Sequence, residues 1–409
     1  MARYDLAVIG ADLGGLATAA LLSAKGGKVA VFGAGKNLAQ SLGGLEQDGF
    51  AFAPGPSLLA ACGTGMAIGR FFSDAQAGAL TAQPAGIYQV ALPDRRISLS
   101  RNRDSTLEEL RREFPEDRRA IEQFYRDLDR SVEKIGKGKL AAFFAKRKTA
   151  AAFLNAYSFS RELRCFFSIL SNFFYRLPLE KLLFPDLIDL ILRAPSRTYG
   201  LRTVLAQQLV ERIVRRGGEI RFGEEAAETA ISGHRSVGVK TSQGTIDSRT
   251  VLLDTQDPHQ PVLFTGIRET VIPVGMEKDV LYLPDYTRPD EFISLSLSDE
   301  KDESAAPLGM RAMTCVFNSV NAPCRKEEMI SRVSRLIPFL EDFNVFSKAK
   351  PLPAAGQPSS DVRFKPIHAG AGTPVLFQSN IKGMYKIAED SLTPIQQVQA
   401  AYKLVNKLR

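Results

Sequence analysis

The sequence has few of the residues that build metal and disulfide sites. It contains four cysteines and three histidines in 409 residues, and neither type shows the paired spacing of metal ligands. Cys315 and Cys324 lie nine residues apart with no histidine beside them. We therefore predict buried free thiols and no metal site.

Long apolar runs are also missing. No stretch reaches the roughly 20 apolar residues that a helix needs to span a bilayer. The N-terminal segment MARYDLAVIG enters a strand pattern at once, which leaves no room for a secretion signal. We expect a cytoplasmic protein. The net charge of +8 favours an anionic partner such as a lipid surface, or serves solubility alone, so peripheral membrane attachment is a second hypothesis.

The first 35 residues predict a strand, a turn, a helix and a second strand. An apolar run from Asp5 to Ile9 is followed by GADLGGLATAALLSAKGG, which has helical periodicity, and by a second apolar run from Lys28 to Phe32. This order is typical of the βαβ unit that opens a dinucleotide-binding fold. Further along, residues 105–190 predict helices, and residues 199–255 predict a helix, strands and a hairpin turn near Gln243-Gly244.

Five segments, in the correct order, resemble those of a known family. They are VIGADLGGL, GLEQDGFAFAPGPSLL, the unit from Gly200 to Thr255, SLSLSDEKDESAAPLGMRAM and GMYKIAEDSLTPIQQVQAA. The chain resembles the phytoene-desaturase-like branch of the FAD-dependent amine-oxidase superfamily, and the resemblance runs almost from end to end. It implies FAD as the cofactor and redox chemistry on a hydrophobic, isoprenoid-like substrate.

The resemblance also implies the architecture. We predict an α/β fold in which a FAD/NAD(P)-binding, Rossmann-like domain carries an inserted α+β substrate domain. The dinucleotide-binding domain is assembled from residues 1–104, 199–270 and 360–409. The substrate domain is assembled from residues 105–198 and 271–359, and a C-terminal helix begins at about Pro394.

In a G-x-G-x-x-G turn, the first glycine permits the tight turn, the second lets the backbone approach the pyrophosphate, and the third packs the helix on the strand. Gly10 and Gly15 keep the first and third places, whereas Asp12 stands in the second. A carboxylate there adds bulk and negative charge where a diphosphate would lie. It can also cap the helix N-terminus. We therefore expect Asp12 to take the place of the phosphate.

Other positions that would contact FAD are changed as well. The acid that would bind the ribose falls at Gly33, and the arginine that would follow the next pair of glycines is Leu45. In the last segment an aspartate is kept, but the glycines after it have become Ile395, Gln397 and Ala400. The positions that match cofactor contacts are Gly10, Asp12, Gly14, Gly15, Gly33, Gly43, Gly44 and Asp390.

Two functions follow from this pattern. In the first, a flavoprotein-fold chain no longer holds FAD in the usual way and acts as a binding or assembly partner, for an apolar or isoprenoid small molecule or for an active relative. In the alternative, it is an active FAD-dependent oxidoreductase or isomerase on an isoprenoid-like substrate. No catalytic residue is assigned. If the lost contacts matter, Asp12→Gly combined with Gly33→Glu should restore FAD affinity.

The segment from Lys134 to Tyr175 also has two interpretations. Its lysines and arginines are interleaved with many aromatic side chains. They build either a helical domain with its own aromatic core, or a basic, apolar-faced element that lies on an anionic membrane. Binding to nucleic acid does not fit, because the aromatic residues run with aliphatic ones as they do in a core. His368 and Tyr385 fall near the flavin end, where a structural role and an acid/base role are both open.

Overall fold

Two seven-stranded sheets organise the chain. The structure is a computed structural model, and it describes residues 3–53, 58–60, 71, 74–75, 86–100, 102–137, 148–192, 198–200, 202–224, 226–255, 261–318, 325–351, 363–366, 376–388 and 394–408.

The first sheet is mainly parallel and contains the predicted βαβ unit. Its strand order is β19–β20–β21–β13–β1–β2–β9, and Val8 of β1 lies between Val31 of β2 and Leu252 of β13. The strands are β1 (Leu6–Ile9), β2 (Val29–Gly33), β9 (Glu219–Phe222), β13 (Val251–Thr255), β19 (Phe364–Pro366), β20 (Leu376–Ser379) and β21 (Met384–Ala388). The apolar runs VAVFG and LAVI are buried throughout, as the strands of a covered parallel sheet are.

Helix α1 (Leu13–Ala24) connects β1 to β2 and is buried on nearly every side. It packs against α8 (Arg202–Arg215) and α11 (Pro394–Lys407). Alanines such as Ala17 and Ala20 let these helices approach closely, and a helix with no polar face is typical of a protein interior. The C-terminal helix begins at Pro394, which confirms the prediction.

The second sheet is mainly antiparallel and has the order β18–β14–β17–β16–β15–β6–β7. Its strands are β6 (Tyr88–Ala91), β7 (Arg96–Leu99), β14 (Pro261–Arg268), β15 (Asp279–Tyr282), β16 (Phe292–Leu297), β17 (Met310–Asn318) and β18 (Asn344–Pro351). The predicted boundaries put residues 88–99 and 261–268 in the dinucleotide-binding domain. The strands of these residues, β6, β7 and β14, pair instead within the second sheet. The strand β14 pairs with β17 and β18 and is buried along six consecutive residues, so it is an inner strand of the second sheet.

A layer of helices packs against strands β6, β7 and β15 of the second sheet. It consists of α3 (Arg103–Glu113), α4 (Arg118–Lys137), α5 (Ala150–Leu154), α6 (Arg161–Tyr175) and α7 (Phe184–Leu192). The ring of Phe124 lies at its centre, with its centroid 5.9 Å from that of Phe153, 5.6 Å from Phe159 and 5.4 Å from Phe167. These aromatic side chains therefore form a core. Phe143, Phe144, Lys146 and Arg147 lie outside the described residues, and membrane attachment stays a prediction.

The remaining elements are short. They include α2 (Leu38–Ser41), α9 (Lys326–Ser334), α10 (Leu340–Phe343), the pairs β3 (Leu45–Gln47) with β4 (Phe50–Phe52) and β5 (Leu58–Ala60) with β8 (Thr198–Gly200), and the sheet of β10 (Ala226–Ser232), β11 (Arg235–Thr241) and β12 (Gly244–Asp247). Gly244 has a φ of 124° at the start of β12, which confirms the hairpin turn predicted there.

Two of the four cysteines lie among the described residues. Cys165 and Cys315 are buried free thiols, and burial raises the pKa of Cys315. Cys62 and Cys324 lie outside the described residues. Within the described ranges, no three histidine, cysteine, aspartate or glutamate side chains converge as metal ligands would, and no helix has the length and apolar character of a membrane crossing.

Candidate functional site

The turn between β1 and α1 is where the sequence places a diphosphate. Gly10 has a φ of 105°, which favours glycine, and its N–H donates to the Phe32 carbonyl at 2.9 Å. A Cβ at this position would overlap the Asp254 carbonyl oxygen. Gly10 is thus required by the close approach of β13, whether or not a ligand binds.

The carboxylate that meets the start of helix α1 comes from the far end of β13. The Gly15 N–H donates to Oδ2 of Asp254 at 2.6 Å, and Asp254 is only 1% exposed. A Cβ on Gly15 would overlap the same oxygen, and one on Gly14 would lie 3.1 Å from Oδ1. Both glycines therefore make room for Asp254, which bonds one of the N–H groups that a phosphate uses at such helix ends.

The capping bond expected from Asp12 is not formed. Asp12 is the N-cap residue of α1, with extended backbone, but its side chain accepts no capping hydrogen bond. An N-cap side chain normally accepts from the second or third helical N–H, and Asp254 bonds the third, Gly15. Asp254 was missed by sequence reasoning. The available signal was an acidic residue at the carboxyl end of the buried run VLLDT, where parallel strands place functional groups.

The turn is enclosed by protein. Gly10, Ala11, Asp12 and Leu13 are all buried, with Asp12 only 1% exposed. A diphosphate bound in the usual way needs backbone N–H groups that face an open cleft. Here it would meet a covered turn and two buried carboxylates, Asp12 and Asp254, at the same helix end. These residues do not fit a diphosphate in the usual place.

The ribose position is filled as well. Gly33 ends β2, and its carbonyl accepts from the Gly223 N–H at 3.1 Å. A Cβ on Gly33 would lie 2.5 Å from Oγ of Ser41 and 2.7 Å from Cδ1 of Phe222. The space from which an acidic side chain would reach the ribose is therefore occupied. Gly33→Glu would require the Ser41 and Phe222 side chains to move. The expectation that Asp12→Gly with Gly33→Glu restores FAD affinity stays a prediction.

Gly43 and Gly44 serve the chain's own packing. Gly43 has a φ of 100°. A Cβ on Gly44 would lie 2.8 Å from the Ala39 carbonyl oxygen and 2.9 Å from that of Phe52. Leu45, in the place of the expected arginine, is buried and pairs with Phe52 across β3 and β4. This segment presents apolar packing where the resemblance implies a cationic contact.

The C-terminal part of the predicted site is described in part. Asp390 and His368 lie outside the described residues. In α11, Gln397 and Ala400 are buried, and Ala400 belongs to the hydrophobic core around α1. Tyr385 on β21 is buried in the same core, which raises its pKa, and Nζ of Lys407 lies 5.8 Å from the centre of its ring. Those contacts favour the structural interpretation of Tyr385.

Comparisons with known proteins support the fold. No protein-family model matches the sequence, and no curated protein matches it. Among solved structures, a Rab GDI from Plasmodium falciparum is 11% identical and aligns over 98% of this chain and 98% of its own, with a TM-score of 0.66. An oxidoreductase from Methanosarcina mazei is 15% identical over 98% of this chain and 99% of its own, with a TM-score of 0.60. A triple mutant of putrescine oxidase is 12% identical over 99% and 98%, with a TM-score of 0.52.

These likenesses, together with the parallel sheet and its βαβ unit, confirm the predicted fold class. The chain has an α/β fold of the FAD/NAD(P)-binding, Rossmann-like type with an inserted domain. At 11% to 15% identity the likeness extends to the fold alone.

Proposed function

We propose that this chain is a flavoprotein-fold protein that does not hold FAD in the usual way and acts as a binding or assembly partner. Its framework is that of a flavin enzyme, related by its motifs to the phytoene-desaturase-like branch. Its partner is an apolar, isoprenoid-like molecule or an active relative of the same fold. Redox chemistry is not part of this function, so no residue is assigned a catalytic role.

One observation carries the proposal: the Asp254 carboxylate bonds the Gly15 N–H at 2.6 Å beneath a buried turn. An anion supplied by the chain satisfies the helix N-terminus, and negative charge at that end is stabilising. A dinucleotide would have to displace this contact and open the turn. It would also find no room for a ribose-binding acid at Gly33.

The solved structures with this fold do not distinguish a binding partner from an active enzyme. One is named an oxidoreductase and one a putrescine oxidase, whereas Rab GDI is named for the protein Rab. The alternative, an active FAD-dependent enzyme on a hydrophobic substrate, is favoured by the retained Gly10 and Gly15. Both glycines are accounted for by Asp254, which weakens that argument.

An absorbance spectrum of the purified protein, followed by thermal unfolding with added FAD, tests the proposal. We expect no flavin band, either before or after denaturation, and no rise in melting temperature. A ligand at 100 times its Kd stabilises the state that binds it by about 2.7 kcal/mol, so even modest binding would be seen. An established FAD-dependent oxidase, stripped of FAD and reloaded, is the positive control. A yellow protein, or a saturable stabilisation by FAD, would establish the alternative.

A further inference from the structure

A cavity of about 520 Å³ lies at one end of the second sheet, away from the Gly10–Gly15 turn. Its wall is formed mainly by the loop that precedes β15, together with the chain after β16 and Arg311 of β17. The loop is held in place by a buried amide. The side chain of Gln89 donates to the Gly275 carbonyl at 2.9 Å and accepts from the Glu277 N–H at 3.1 Å.

The charge of this cavity is opposite to that of the chain. Four carboxylates and two cations line it, a net charge of −2, whereas the whole chain carries +8. The charged residues are Glu269, Glu277, Lys278, Asp299, Glu300 and Arg311. A concave surface lined mainly by one sign of charge concentrates ligands of the other sign, so the cavity favours a cation.

Glu277 is available to bind such a cation, because the other three carboxylates of the cavity already lie within ion-pair distance of Arg311 or Lys278. Arg311 is shared by Glu269 at 3.5 Å and Glu300 at 3.4 Å, and Lys278 lies 4.0 Å from Asp299. Among the described residues, no side chain lies within hydrogen-bond or ion-pair distance of the Glu277 carboxylate. Burial raises the pKa of the Glu277 carboxyl, while the charge of the neighbouring Lys278 lowers it by less and Asp279 adds a small further rise.

The form of the cavity indicates an organic cation carried by a protein. In the described part of the chain no group of three acidic, histidine or cysteine side chains converges on a metal. The cavity is only partly enclosed, whereas a small-molecule site usually encloses most of its ligand. Val274 in its wall is 102% exposed, and Leu308 is 89% exposed on a turn whose Gly309 carbonyl accepts from the Glu269 N–H at 3.0 Å. Both side chains are exposed beside the cavity, so a partner protein that places a cation in the cavity can contact them.

We propose that this cavity is a docking site for an arginine side chain of a partner protein. The guanidinium donates to the Glu277 carboxylate, and apolar residues beside the arginine contact Val274. Arginine suits this role because its planar guanidinium binds a carboxylate through two parallel hydrogen bonds, and because it is a common anchor of interfaces. The site is separate from the turn at Gly10, so its test is independent of the flavin measurements.

Methyl NMR of the full chain tests the proposal, because Met276 lines the cavity and is one of seven methionines. Its signal is assigned with Met276→Leu. The ligands are acetyl-Val-Arg-Val-amide and the same peptide with citrulline, which is close in shape to arginine and uncharged. We expect a saturable shift of the Met276 signal with the arginine peptide and about ten-fold weaker binding of the citrulline peptide, as loss of a charged hydrogen-bond partner implies.

The matched variants are Glu277→Gln and Glu303→Gln. Glu303 is an exposed carboxylate outside the cavity wall, so the second variant removes the same charge without removing the contact. We expect Glu277→Gln to weaken binding about three- to ten-fold, within the range between exposed and buried ion pairs, and Glu303→Gln to leave it unchanged. If Glu277→Gln does not fold, the proposal is tested by comparing the arginine and citrulline peptides on the wild-type protein.

Four results would overturn the proposal. The first is equal binding of the arginine and citrulline peptides, and the second is equal weakening by both glutamine variants. The third is binding of acetyl-arginine-amide as tight as that of the peptide, because the site would then hold a small cation without contact to flanking residues. The fourth is a Met276 signal that does not move with any of the peptides, because the cavity would then bind none of them.

Discussion

Replacement of Asp254 should destabilise the first sheet, since this carboxylate caps α1 from a neighbouring strand. Asp254→Ala leaves the Gly15 N–H buried without its acceptor, which costs about 1–3 kcal/mol. It also removes a negative charge from a helix N-terminus, worth about 0.3–1 kcal/mol and up to about 2 kcal/mol in a partly buried setting. We expect a total loss of about 2–4 kcal/mol in the free energy of unfolding.

Asp254→Asn separates the two contributions. The asparagine keeps a carbonyl oxygen that can accept from Gly15, so the hydrogen bond survives in neutral form while the charge is lost. Charged hydrogen bonds exceed neutral ones by about 1 kcal/mol, so the loss should be about 1–2 kcal/mol when the helix-end term is included. The expected order of stability is wild type, then Asp254→Asn, then Asp254→Ala.

Urea unfolding followed by circular dichroism measures these differences, with the slope m checked for each variant. Asp290→Asn is the matched control, because it removes the same charge from an exposed turn; a change within about 0.5 kcal/mol is expected there. An Asp254→Ala protein as stable as the control would refute the capping role. An Asp254→Asn protein less stable than Asp254→Ala would refute the assignment of Gly15 as its donor.

Three further variants follow from the same structure. Gly33→Glu should lower the free energy of urea unfolding by more than about 2 kcal/mol through overpacking against Ser41, and should bring no FAD affinity in a thermal-shift titration. Burial, aided by Asp189, raises the pKa of Asp186 to about 6; the folded state thus holds the proton more tightly than the unfolded chain, and stability falls as pH rises from about 4 to 6. Asp186→Asn should remove that fall in a urea series across pH. Phe124→Ala, at the centre of the aromatic core, should cost about 3–5 kcal/mol in the same assay; a loss below about 1 kcal/mol would show that the core does not depend on it.

Local patterns in the sequence predicted the local elements. The apolar runs before and after GADLGGL give β1, α1 and β2 because strand and helix periodicities are set within a few residues. The hairpin at Gly244 and the helix from Pro394 have the same origin, since each depends on a single residue with a restricted or permissive backbone.

Contacts between distant residues could not be predicted in the same way. Gly15 and Asp254 are 239 residues apart, and the bond between them depends on β13 pairing beside β1. Once that pairing is known, the acidic residue at the end of β13 is placed at the helix end. The continuous buried run of β14 likewise does not say which sheet the strand joins; its partners β17 and β18 decide this. Sequence reasoning therefore assigned the capping role to the nearest acid, Asp12, although a more distant one performs it.

Packing against Asp254 gives a second explanation for the glycines of the turn between β1 and α1. In a nucleotide-binding turn, a glycine allows the ligand to approach the backbone. Here the space beside Gly10 is taken by the carbonyl of Asp254, and the space beside Gly14 and Gly15 is taken by its carboxylate. The same residues would therefore be required by close packing of β13 on α1 even if no nucleotide bound. Because the glycine pattern serves both cases, the residue that distinguishes them is the one facing the glycines: a carboxylate in contact with Gly15 places a negative charge where a diphosphate needs donors.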